Sequence, residues 1–185
     1  MKKFLVVLSL FFWIGLSAQG EHVKFMGIDM NCDINTFNEK LTQKGFQYTQ
    51  ELKDPEEENL AFEGNFSGEK ASVFVYYDKD SKLVYKVSVG IICLNNQIAE
   101  DKYQHFKKGL SVKYNEHYFK EDTTIEKGKT FTVLLLDKEK KSYGGINMYI
   151  LSNFSQEFPD ASILTLGYID SANLDLHDKK EYEDL

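Results

Sequence analysis

Nucleophilic catalysis asks for a Ser or Cys beside a base that a third group orients. The string closest to that need is Gly64-Asn65-Phe66-Ser67-Gly68, yet a nucleophile elbow sets its Ser midway between the glycines, as G-x-S-x-G. Ser67 stands one place too late, and the string reads as a hairpin turn. The histidines His22, His105, His117 and His177 are scattered, with no H-x-H, H-x-x-x-H or C-x-x-C pairing to aim ligands at one metal ion. A thiol nucleophile, Cys32 or Cys93 near His105 or His117, is the remaining combination. The plainer role for each Cys is that of a small buried hydrophobe.

Two further clusters carry oxygen. Asp54 with Glu56, Glu57 and Glu58 supplies several carboxylates, but glycosidase chemistry wants two facing each other across a cleft, one in an apolar pocket. A contiguous run reads as a charged loop. Between Asp170 and Asp178, with Asn173 and Asp175 among them, a weak calcium loop is one reading. The segment lacks the alternating ligand spacing, the central Gly and the closing Glu of such a loop, so an acidic, solvated tail is the other. These residues therefore specify no catalytic, metal or cofactor site. Phe74, Tyr76, Tyr77 and Tyr85 remain as an aromatic set on the strands, serving recognition if exposed and a core if buried.

Positioning these groups are two helical patterns and two sets of alternating strands. Asp33 is placed to cap a helix in which Ile34, Phe37 and Leu41 recur at three and four residues, and Gly45 stops it. Ala99, Tyr103, Phe106 and Leu110 mark a second helix, capped by Asn95 or Asn96, with charged residues on its other face. Period-two alternation runs through 60–66, 73–77 and 83–91, and again through 131–135, 146–150 and 163–169. Residues 46–52 offer an additional strand. The charged turns at 78–81 and 137–142 separate hairpin partners. A helix followed by three strands thus occurs twice, over 31–92 and 95–170, as a repeat within one domain spanning 21–170. The fold class expected is α+β, an antiparallel sheet with helices on one face. From Ser171 to Leu185 the chain is polar and acidic and reads as a mobile tail.

The amino end has the three parts of a secretory signal: basic Met1-Lys2-Lys3, apolar Phe4 to Leu16, then small and polar Ser17-Ala18-Gln19-Gly20. The apolar run is shorter than the roughly 20 residues that span a bilayer. Cleavage before Glu21 fits the small-x-small rule at Ala18 and Gly20 and leaves about 165 residues. An exported chain with two Cys permits one disulfide, Cys32 to Cys93. Loss of Lys2 and Lys3 moves the net charge from −7 to about −9, and the 22 basic residues are all Lys. An acidic chain without a guanidinium fork is a poor partner for nucleic acid, and for anionic lipid. The expected location is the periplasm or the medium, with no integral membrane segment in the mature chain.

The opening H-V-K-F-M-G-I, then F-N-E-K-L-T-Q-K-G-F at 37–46, F-E-G-N-F-S-G at 62–68 and V-Y-Y-D-K-D-S-K-L-V-Y at 75–85 resemble a family of small uncharacterised secreted proteins of Bacteroidetes. The helix-and-meander repeat is similar, at the level of fold, to the β-lactamase-inhibitor-protein and outer-membrane-assembly-lipoprotein architecture. That resemblance implies a non-catalytic binding module; with no catalytic constellation and an aromatic set on the strands, the expected function is binding of a protein or glycan of the cell envelope. A hydrolase assembled from sequence-distant residues and a weak calcium binder are the alternatives. In that phylum's exported proteins, Asp170-Ser171-Ala172 and Asp122-Thr123-Thr124 resemble O-glycosylation acceptors at Ser171 and Thr123.

Overall fold

The apolar stretch after Glu21 folds back on itself. β1 (Lys24–Phe25) and β2 (Ile28–Asp29) pair antiparallel around Met26 and Gly27, whose φ angles are +50° and +80°. Two successive positive φ values make the tight turn whose twist suits a hairpin. Gly27 adopts it freely; Met26 carries the strain of a side chain in left-handed space. In this computed structural model the described residues are 21–52, 58–124, 128–152 and 157–183, the side chains of 123, 124, 128 and 180–183 excepted. The signal sequence read at 1–20 lies outside them, as do Asp54, Glu56 and Glu57.

Helix α1 (Ile34–Gln43) begins where expected. The Asp33 carboxylate accepts from the backbone N–H groups of Asn35 and Thr36 at 3.0 and 3.2 Å, and the Thr36 hydroxyl donates to it at 2.6 Å. That bonding holds the Asp33 carboxyl below its usual range. The helix ends in a Schellman motif: Gly45, at φ +91°, donates to Thr42 O and Phe46 to Leu41 O. Helix α2 (Asn96–Lys113) is capped by Asn95, which accepts from the Ile98 N–H at 2.9 Å, and buries Ala99, Tyr103, Phe106 and Leu110.

An eight-stranded sheet carries the rest. Its strands are β3 (Gln47–Thr49), β4 (Asn59–Phe66), β5 (Glu69–Tyr77), β6 (Val84–Cys93), β7 (Tyr118–Thr124), β8 (Gly128–Leu136), β9 (Ser142–Ser152) and β10 (Ser162–Asp170). They lie in the order β3-β4-β5-β6-β10-β9-β8-β7, every pair antiparallel. Each helix thus precedes a four-strand meander, and the two meanders join where β6 meets β10. Alternation sends Val73, Val75, Val87, Val89, Leu164, Leu166, Ile146, Met148, Phe131 and Val133 into one buried face. α1, α2 and the hairpin cover it. The rings of Phe25 and Phe66 stack at 5.7 Å, and those of Phe66 and Phe106 at 5.8 Å. This file of rings ties hairpin, sheet and α2 together, each pair contributing about 0.5–1.5 kcal/mol beyond its buried area.

The α+β class and the antiparallel sheet agree with the sequence reading, and three details differ. Each half has four strands rather than three: residues 46–52 supply β3, and β7, charged at Lys120, Glu121 and Asp122, shows too little apolar alternation to be seen beforehand. Residues 171–183 are not a mobile tail but helix α3 (Ser171–Glu183). Its anchors are polar, which is why no apolar period announced it.

The third correction concerns the disulfide. Cys32 and Cys93 are free thiols. Cys32 O accepts from Val84 N, at the start of β6, while Cys93 ends that strand. Nine steps of about 3.3 Å separate the two ends, whereas bridged Cα atoms lie within about 7 Å. Both sulfurs donate instead to local carbonyls, Cys32 to Asp29 O at 3.1 Å and Cys93 to Ile91 O at 3.6 Å.

Candidate functional site

Asp170 closes β10, and its carboxylate is fully buried. It accepts from Val23 N at 2.9 Å and, as the cap of α3, from Asn173 N at 3.1 Å. Its Oδ2 lies 3.0 Å from Nδ1 of His22. With Nδ1–H donating to the carboxylate, the imidazole is fixed in one orientation and its other nitrogen, Nε2, is the one left to interact elsewhere.

His22 borders a cavity of about 610 Å³ between the hairpin and the end of α2. The hairpin side contributes Glu21, Lys24, Asp29 and Asn31; the opposite side contributes Lys113, Tyr114 and Tyr143. The Lys113 ammonium sits 4.9 Å from the centre of the Tyr114 ring, a cation–π contact that fixes both at the rim. Burial, then the negative charges nearby, Glu21 first, hold the Tyr143 phenol protonated above its usual range. Behind the two tyrosines stands His117, its ring 5.7 Å from Tyr114 and 6.5 Å from Tyr143. Its Nδ1 accepts from Leu136 N at 3.0 Å. His117 therefore serves as a positioning residue for the aromatic wall.

Chemically, the cavity offers two phenol rings, carboxylate and amide acceptors, and two ammonium donors. None of the described residues that line it is a Ser, Thr or Cys. Among the described residues no group of three or more His, Cys, Asp or Glu is arranged to hold a metal ion.

The sequence candidates are dispersed around this cavity. Ser67 occupies the β4–β5 turn at φ +52°, with Gly68 N donating to Asn65 Oδ1 at 2.9 Å, the hairpin it was read as. His105 lies on α2 with its ring edge-on to Phe106. Glu58 accepts from the Tyr77 hydroxyl at 3.1 Å. Tyr76 and Tyr85 adjoin each other at 6.5 Å, and Tyr85 is covered by His177 of α3. Of this aromatic set, Tyr85 therefore helps to dock a helix.

The segment 170–178, read as a calcium loop, falls on the start of α3. The segment is helical rather than a loop, and its first oxygens are committed. Asp170 holds Val23, Asn173 and His22, while the Asn173 amide donates to Met30 O and Val84 O at 3.2 and 2.8 Å. Ser171 is half-buried in the first turn of α3, and Thr123 lies in β7 with its side chain outside the described residues.

Glu21, Tyr114 and Tyr143 were not singled out beforehand, and His22 and Asp170 were read only as one of four scattered histidines and as a calcium-loop oxygen. The five come from four separate stretches of the chain and share no motif. Comparison with protein-family models, curated proteins and solved structures returns no match to this chain.

Proposed function

We propose that the protein is an exported, non-enzymatic binding module that takes a glycan of the cell envelope into the cavity beside His22. The observation that carries this reading is the pairing of two phenol rings, Tyr114 and Tyr143, with a ring of short acceptors and ammonium donors. Sugar rings present apolar C–H faces for aromatic stacking and hydroxyls that both donate and accept, so such a lining satisfies both. Fixation of His22 by buried Asp170 and of the tyrosines by His117 supports it, because groups held in place before binding lose less entropy when a ligand arrives. The halved helix-and-meander layout fits the resemblance to the β-lactamase-inhibitor-protein architecture, whose members bind rather than catalyse.

The test is titration of the protein with envelope oligosaccharides, with binding read by calorimetry. Tyr114→Ala and Tyr143→Ala are expected to weaken binding at least tenfold while circular dichroism stays unchanged. No binding to any envelope saccharide, or equal binding by both variants, would overturn the reading. Saccharide cleavage that disappears with His22→Ala or Asp170→Asn would replace it with the hydrolase alternative, for which the His22–Asp170 pair is the one specific support.

A further inference from the structure

The amino end of α2 lies about 26 Å along the helix from Lys113 and the cavity beside His22, at about 1.5 Å per residue. Around it opens a second cavity, of about 630 Å³. Residues 94–97 lead through it into the helix. Ser152 at the end of β9 and Ser162 at the start of β10 form its floor, and Pro159 and Asp160 flank it from the turn before β10.

The first N–H groups of a helix have no acceptor within it and carry the positive end of its dipole. At α2 the Asn95 side chain takes Ile98 N at 2.9 Å, and the Asn95 carbonyl takes Ala99 N at 3.2 Å. This cap leaves over the N–H groups of Asn96 and Gln97. The Gln97 side chain donates to Asp101 at 3.0 Å, back along the helix.

A helix start alone marks no ligand; Ser162 supplies the second observation. It lines the cavity, is 1 % exposed, and its hydroxyl is buried with no hydrogen-bond partner among the described residues. Its cross-strand neighbours are Cys93 and Ser152. Both donate elsewhere, the thiol to Ile91 O and the Ser152 hydroxyl to Asn96 Oδ1 at 3.1 Å. A buried hydroxyl left unpaired costs free energy that a bound acceptor would return.

Asp160 narrows the choice of acceptor. It is the one charged side chain in the described lining, and its carboxylate opposes a bare dianion while favouring a ligand that carries its own cation. Leu94, in the lining, and Phe158, next to Pro159, are 81 % and 58 % exposed. Large apolar side chains beside a polar cavity suit an interface between headgroups and acyl chains.

We infer that this end of the protein docks on a zwitterionic phospholipid surface and takes a phosphoethanolamine headgroup into the cavity. The phosphodiester oxygens accept from Asn96 N, Gln97 N and the Ser162 hydroxyl, the ammonium donates to Asp160, and Leu94 and Phe158 enter the acyl boundary. Such a headgroup has no net charge, so it does not repel the acidic chain as anionic lipid would. The site stands whether or not the cavity beside His22 takes a saccharide.

The experiment is flotation of the protein with vesicles of phosphatidylcholine, alone or mixed equally with phosphatidylethanolamine, beside a ¹H–¹⁵N NMR titration with soluble glycerophosphoethanolamine. Mixed vesicles are expected to bind about tenfold better, because a choline group has no N–H to donate to Asp160. The soluble headgroup should shift the amides of Asn96, Gln97 and Ser162. Ser162→Ala should weaken both kinds of binding about tenfold without lowering the melting temperature, since it removes an unpaired hydroxyl. Asp160→Asn, at an exposed position, should erase the preference for mixed vesicles and keeps the test decisive should Ser162→Ala misfold. Leu94→Ser should reduce flotation and leave the NMR shifts intact. Absence of shifts at about 50 mM glycerophosphoethanolamine, or undiminished binding by folded Ser162→Ala, would overturn the site. Shifts without flotation would overturn the lipid surface as its source, and equal flotation with both vesicles would overturn the ammonium contact.

Discussion

The imidazole of His177 lies flat on the ring of Tyr85, with centroids 4.4 Å apart and planes 11° from parallel. Its Nδ1 is 3.4 Å from the Asp78 carboxylate. One helical turn earlier Asn173 reaches Met30 O and Val84 O. Residues 173 and 177 share a helix face, so α3 grips the sheet by a polar stripe.

Asn173→Ala removes the donors from two buried carbonyls and should cost about 2–4 kcal/mol. His177→Ala, acting at a partly exposed ring, should cost no more than about 1 kcal/mol. Urea unfolding of the two variants checks the order; a larger loss for His177→Ala would show that the stacked ring, not the amide, is the anchor.

Two thiols are expected in the folded protein. In urea without reductant, iodoacetamide should add to both Cys32 and Cys93. In the native state Cys93, buried and with its thiol pKa raised by that burial, should react slowly. Intact mass reads both results, and a protein that takes no label until reduced would contradict the free pair.

Alkaline pH should destabilise the fold through Tyr103 and Tyr168, whose phenol pKa values burial raises. A group whose folded pKa exceeds its unfolded value contributes stability that is complete below the unfolded value, about 10, and is lost as pH rises beyond it. Urea midpoints should hold level to pH 9 and fall from about pH 10 upward. Phenolate absorbance should show these two tyrosines ionising with unfolding. Stability independent of pH up to 12 would refute the assignment.

Two glycines should respond in opposite directions. At Gly144 a Cβ would collide with the Val23 side chain and the backbone carbonyl of Ile169, so Gly144→Ala should cost about 1–3 kcal/mol. Gly109→Ala, in open space on a helix, should gain about 1 kcal/mol. Thermal melts of the pair decide it.

How much of this could be read beforehand followed the chemistry of the anchors. α1 and α2 bury Phe, Leu, Ala and Tyr at helical spacing, so their faces showed in the letters. α3 has the same spacing in Asp170, Asn173 and His177, but polar side chains at a helical period resemble a solvated tail until their partners are known. β7 was hidden because Lys120, Glu121 and Asp122 suit a sheet edge, where charge discourages pairing with another chain. The cavity beside His22 was not foreseeable: Tyr114 follows a helix end, Tyr143 opens a strand, and only the fold brings them opposite Glu21 and His22.

The seam between β6 and β10 unites residues near 84–93 with residues near 162–170. The last strand of the chain is therefore an interior one, inserted between β6 and β9. An N-terminal half made alone would present β6 as a bare edge. Joining the two halves requires strands about 70 residues apart in sequence to meet, and closing so long a loop is slow compared with local helix formation.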